Sequence, residues 1–145
     1  MNKEHEFTTV LTGGRGIGDV VQATVLLSGQ GFGVRYDLDQ NTGIISNREH
    51  DLYGEPVAGR ILVFTRPKGG VAASWSLAGL KERGIAPAAL IFLKASPIFV
   101  QGSIFADIPL MDGFTEDPNS KLVNGEEIIL FPAEGRVEAR RRCQP

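Results

Sequence analysis

The stretch Arg60-Ile61-Leu62-Val63-Phe64-Thr65-Arg66-Pro67-Lys68-Gly69-Gly70-Val71, continuing to Arg83 and then through Ala88-Ala89-Leu90-Ile91-Phe92-Leu93, decides the fold. Ile61 to Phe64 is a short unbroken apolar run behind Gly59, the pattern of a buried strand. After the Arg66–Gly70 turn, Val71 to Arg83 reads as a helix. Val71, Trp75 and Ala78 fall at i, i+4 and i+7 on one helical face, which assigns Trp75 to the core. Lys81, Glu82 and Arg83 end the helix, and Gly84 suits the left-handed position just beyond it. Ala88 to Leu93 reads as a second buried strand. Strand, helix and strand with short links imply one right-handed crossover with parallel pairing.

Outward from this unit the pattern is β-rich. Phe7 to Leu11 and Asp19 to Leu27 read as strands on the N-terminal side. Gly29-Gln30-Gly31-Phe32-Gly33 is a loop of little intrinsic stiffness. Asn41-Thr42-Gly43 turns the chain into the short strand Ile44-Ile45. On the C-terminal side, Ser96-Pro97-Ile98 and Gly102 to Met111 read as short irregular strands or turns, and Asp112 to Ser120 as a polar loop. Glu126 to Phe131 and Arg136 to Ala139 form a final hairpin around Pro132–Gly135. Residues 140–145, with Arg140-Arg141-Arg142, are expected to be a disordered, solvated tail. The expectation is one α/β domain over 1–145, β-rich, with one or two helices.

Length and composition narrow the function classes. The chain has 145 residues, enough for one core. A formal net charge of -2 gives no basic footprint for nucleic acid. The strongest apolar run, Ala86 to Leu93, is far short of the roughly 20 residues a membrane helix needs. Acids near the N-terminus and the lack of an apolar run there argue against a signal peptide, so a cytoplasmic location is expected. The single cysteine, Cys143, excludes an internal disulfide and an iron–sulfur cluster held by this chain alone.

Two glycine-rich runs invite a ligand. Gly13-Gly14-Arg15-Gly16-Ile17-Gly18 resembles a nucleotide fingerprint in spelling, but the segment after it is a strand where the fingerprint requires a helix. It reads as a turn between strands. Lys68-Gly69-Gly70 lies between a buried strand and the best helix, where free N–H groups and the positive helix end favour an anion. These three are the candidate substrate-binding residues, with a plain strand-to-helix turn as the alternative. Ser74 and Ser76 lie in the first turns of that helix, where a hydroxyl bonds either a ligand or the carbonyl one turn back. His5 and His50 have no spacing partner for a metal site.

From about Leu27 to Val137 the chain resembles the aconitase X family, in its small subunit or swivelling domain. Thr42-Gly43, His50, Leu52, Gly54 and Val57-Ala58-Gly59-Arg60 match that family's runs. So do Gly84, Ala86-Pro87-Ala88-Ala89, Ser96-Pro97-Ile98, Gly102, Ile108-Pro109 and Asn124-Gly125-Glu126. The resemblance implies a β/β/α swivelling domain like the fourth domain of aconitase, partly barrel-like. It implies a heteromeric hydro-lyase that works only with a large subunit carrying the iron–sulfur cluster, its active site at the interface. The substrate would be a small hydroxy acid, cis-3-hydroxy-L-proline in one branch and mevalonate 5-phosphate in another. No nucleic-acid or membrane partner is expected. Family members carry Gly-x-Gly-Ser-Ser-x-Gly-Ser after the Val-Ala-Gly-Arg strand, the first serine being catalytic. Here Gly70 stands at that position, Val71 at the next serine, and only Ser74 survives. Ser74 is therefore the candidate catalytic residue. A catalytically degenerate binding or regulatory module is the rival reading.

Overall fold

The protein is described from a computed structural model that covers residues 5–66, 68 and 71–142. Ten strands are described: β1 His5–Leu11, β2 Arg15–Ile17, β3 Val21–Leu27, β4 Leu38–Asp39, β5 Ile44–Ile45, β6 Ile61–Phe64, β7 Ala89–Phe92, β8 Leu110–Asp112, β9 Glu127–Phe131 and β10 Arg136–Arg142. Two full helices, α2 Val71–Glu82 and α3 Pro97–Ala106, are joined by single turns α1 Val34–Asp37 and α4 Pro118–Lys121.

Eight strands form one sheet in the order β1-β10-β9-β3-β6-β7-β8-β2, and β4 pairs with β5 beside it. β3, β6, β7 and β8 run parallel, and their neighbours on either side are antiparallel. β1 and β2 are consecutive in the chain and linked by Thr12, Gly13 and Gly14, yet they hold opposite ends of the strand order. A three-residue link reaches only about 10 Å, so the sheet must curl until its ends nearly meet. The Gly14 N–H donates to the Gly135 carbonyl at 2.9 Å, closing that seam onto the β9–β10 turn. The partly barrel-like α/β fold follows.

Strand alternation divides the core in two. Val25, Ile61, Val63, Ala89, Ile91 and Val137 fill the inside of the curl. Leu26, Leu62, Phe64, Leu90 and Phe92 point to the other face, where Leu77 and Leu80 of α2 and Phe99 of α3 cover them. The β6–α2–β7 unit lies where the sequence reading puts it, and Gly84 takes the expected positive φ of 74°.

Three expectations are corrected. Trp75 is not core: it is 55% exposed, its ring tilted against Phe105 at 4.9 Å. α2 is rich in small and apolar residues all round, so its periodicity does not single out the buried face, and Leu77 and Leu80 take that place. Pro97 to Ala106 is a helix where irregular strands were expected. The Ser96 hydroxyl caps it by accepting the Phe99 N–H at 3.3 Å, and Pro97 starts it without a missing donor. Phe99, Gly102, Ser103 and Ala106 form its buried face at helical spacing. Residues 140–142 are strand, not tail: Arg140, Arg141 and Arg142 pair with Phe7, Glu6 and His5. Residues 143–145, with Cys143, lie outside the described residues.

Candidate functional site

Parallel α/β sheets present ligands at the carboxyl ends of their strands. Here that edge is formed by the segments leaving β3, β6, β7 and β8, together with the beginnings of α2 and α3. Lys68, between β6 and α2, falls on it. Of the sequence candidates, Lys68 is described, whereas Gly69 and Gly70 lie outside the described residues. Ser74 belongs to α2 by its backbone, and its side chain is likewise outside the described set.

The loop leaving β3 cradles the turn leaving β6. The Thr65 N–H donates to the Gln30 carbonyl, Phe32 N–H to the Arg66 carbonyl, and Lys68 N–H to the Phe32 carbonyl at 2.7 Å. This approach needs glycine. A Cβ on Gly31 would stand 3.0 Å from the Arg66 oxygen, and one on Gly33 3.0 Å from the Lys68 Cβ. The low-stiffness loop at 29–33 is thus the wall of the candidate site.

Asp37 anchors both strands of this wall. Its carboxylate is fully buried and accepts from the Gly33 N–H at 2.9 Å and the Asn47 side-chain amide at 2.8 Å. The Lys68 ammonium completes the set at 3.2 Å. Burial alone would raise the Asp37 carboxyl; the donors from Asn47, Gly33 and Lys68 together outweigh it and hold the group below its usual value. Lys68 is therefore not a loose charge waiting for substrate. Its ammonium is half-exposed and tied to the loop, so its first task is to hold the turn in place.

His50 supports the same loop from behind. It is buried, with Nε2 at 3.2 Å from the Gly31 carbonyl and Nδ1 accepting the Leu52 N–H at 3.2 Å. Its neighbour Asp51 accepts from the Ser28 hydroxyl at 2.6 Å, and the Asn119 amide donates to the Ser28 carbonyl. Sequence reading gave His50 no spacing partner for a metal site and no structural role. It had no means to find Asp37, whose partner Lys68 lies 31 positions away.

The edge is cationic. Arg66 and Lys94 are exposed there, and their segments meet where the Lys94 N–H approaches the Thr65 carbonyl. Among the described residues no three of His, Cys, Asp and Glu come together to hold a metal ion. The described residues do not fit an iron–sulfur cluster. No described helix is long and apolar enough to cross a membrane.

Comparison with known proteins gives a consistent result. The family described as the aconitase X swivel domain matches residues 11–139. The phosphomevalonate dehydratase small subunit of Pyrococcus horikoshii is 38% identical over 126 residues, covering 86% of this chain and 92% of that protein. The protein of the same name from Methanococcoides burtonii is 34% identical, covering 85% and 90%. The crystal structure of Thermococcus kodakaraensis aconitase X in its holo-form superimposes with a TM-score of 0.82 at 35% identity, covering 89% of this chain and 96% of that one.

Proposed function

This chain belongs to the aconitase X swivel-domain family, and on that premise we propose that it is the small subunit of a hydro-lyase that dehydrates a phosphorylated short-chain hydroxy acid, phosphomevalonate. The supporting observation is similarity over 85% and 86% of this chain to subunits bearing that name, which favours this substrate over cis-3-hydroxy-L-proline. The iron–sulfur cluster belongs, in this reading, to the large subunit. This chain supplies the closing wall of the site.

Its contribution follows from the β6 exit. The positive end of α2, which begins at Val71 just beyond Lys68, favours an oxyanion. Asp37 and His50 keep the turn and its glycine wall rigid, so little order is lost when substrate arrives. Arg66 and Lys94 draw an anion to the edge. Closure of the swivelling domain over the large subunit excludes water. Ser74 is the surviving hydroxyl of the family's serine set. It can take a proton at neutral pH only if N–H donors and cations stabilise its alkoxide.

Gly70 at the family's first serine position favours a second reading, a degenerate module that binds without turning over. One experiment separates the two. The chain is co-expressed with its large subunit, and the purified complex is assayed with phosphomevalonate and with cis-3-hydroxy-L-proline. Turnover of phosphomevalonate, reduced roughly 100- to 10,000-fold in Ser74→Ala, supports the dehydratase with Ser74 as its acid–base group. An unchanged rate in Ser74→Ala moves that group to the large subunit. A complex inert until Gly70→Ser is introduced establishes degeneracy.

A further inference from the structure

The glycine run at Gly13–Gly18 contains β2, the strand that closes the sheet against β8. Gly16 is required there by packing: a Cβ would lie 2.8 Å from the Leu110 carbonyl oxygen. Its neighbours Arg15 and Ile17 face a cleft of about 310 Å³ between β2, β8 and the start of α3. Ile17, Pro97, Val100 and Leu110 form its apolar walls, and Arg15 and Asp112 stand at its polar end.

The polar end is assembled for display. Asp112 is nearly buried, and its two oxygens are already engaged, one by the Ala95 N–H at 2.8 Å and one by Arg15 Nε at 2.9 Å. Arg15 is held through Nε alone, with 76% of its side chain exposed. Among the described residues, Nη1 and Nη2 have no protein acceptor. A guanidinium oriented by a buried carboxylate and presenting its terminal fork is suited to bidentate capture of a carboxylate or phosphate. The apolar walls leave room for the carbon skeleton behind the anion. Small-ligand clefts have this composition and volume, mostly apolar with a few placed polar groups.

The cleft opens on the same sheet edge as the Lys68 turn. β6 and β8 are separated by β7 alone, so their exits are about 10 Å apart at the usual strand spacing. We propose that the Arg15–Asp112 cleft is a second anion subsite, which takes one charged end of a short-chain ligand on Nη1 and Nη2 and lays its hydrocarbon part along Ile17, Val100 and Leu110. The ligand class is a small acid with an anion at each end, a phosphate and a carboxylate. The identification of that ligand with the substrate rests on the dehydratase reading; the subsite itself rests on the cleft.

The test uses the full chain, ¹⁵N-labelled, at constant ionic strength. Phosphomevalonate and inorganic phosphate are titrated separately while the Arg15 Nε–H and Ala95 N–H resonances are followed. Saturable shifts at both groups are expected, tighter for phosphomevalonate than for inorganic phosphate because only the former reaches the apolar walls. Arg15→Ala should weaken phosphomevalonate binding about tenfold or more, the loss of one charge-assisted pair, and Arg15→Lys should restore part of it. Shifts that never saturate, or a midpoint unchanged in Arg15→Ala, overturn the subsite. The two readings fail separately. A complex that does not dehydrate phosphomevalonate while the chain still binds it at Arg15 retains the subsite and sinks the substrate assignment. Turnover with KM unchanged in Arg15→Ala does the reverse.

Discussion

Two cations on one sheet edge are each held by a carboxylate, and the two pairs are built differently. At the β6 exit the Asp37 carboxylate is fully buried and gathers donors from Gly33, Asn47 and Lys68. Three segments of chain converge on it, so the pair organises the loop wall. At the β8 exit Asp112 gathers, among the described residues, only Ala95 and Arg15, and most of the Arg15 side chain remains in solvent. Both cations keep N–H donors, but the ammonium lies against a carboxylate that gathers three segments, whereas the guanidinium presents its terminal fork outward. What separates a structural ion pair from a binding group here is how many chain segments the carboxylate gathers and how the cation's remaining donors are presented, rather than the presence of a partner.

The largest expected effect is on stability at the first pair. Asp37→Ala strands the Gly33 and Asn47 donors in the interior and should cost about 3–5 kcal/mol, read by urea unfolding. Lys68→Ala removes one of three donors from a group that is still hydrogen-bonded and should cost about 1–3 kcal/mol. On the dehydratase reading, Lys68→Ala in the assembled complex should also raise KM, because Lys68 borders the proposed anion site. Asp112→Ala should cost less than Asp37→Ala, about 1–2 kcal/mol, because Arg15 is already solvated. Equal losses at Asp37 and Asp112 would break the comparison.

The same contrast has a pH signature. The folded-state pKa of Asp37 lies below its ordinary value, so its stabilisation is fully present above the unfolded pKa, about 3.9. It is lost as pH falls through the lowered folded value. The urea midpoint should therefore drop on acidification below about pH 4, and Asp37→Asn should flatten that drop. An Asp37→Asn protein with an undiminished acid slope would assign the loss to other carboxylates.

The smallest effect is expected at Trp75. More than half of it is exposed, so Trp75→Ala should cost the isolated chain under about 1 kcal/mol, well below the roughly 3–5 kcal/mol of a buried aromatic truncation. A loss in the buried range would show that its contact with Phe105 is worth far more than the exposed area suggests.

Sequence periodicity by itself determined the β6–α2–β7 unit, the closing hairpin and, through motif runs spread over most of the chain, the family and its swivelling fold. These are local signals: apolar runs, glycine punctuation and a helix stop are written within a few residues of where they act. α3 was legible in principle from the Ser96-Pro97 start, but its β-branched and aromatic content favoured a strand until the cap and the buried face decided otherwise. The side of α2 that faces the core was not legible, because that helix has no polar stripe to exclude the wrong face. Tertiary structure alone decided which carboxylate holds Lys68 and which holds Arg15. Asp37 and Lys68 are 31 positions apart, and Arg15 and Asp112 are 97 apart. Such pairs exist only once the sheet has curled and set its strands in order, and no spacing rule along the chain encodes which of two buried carboxylates will turn its cation's free donors outward.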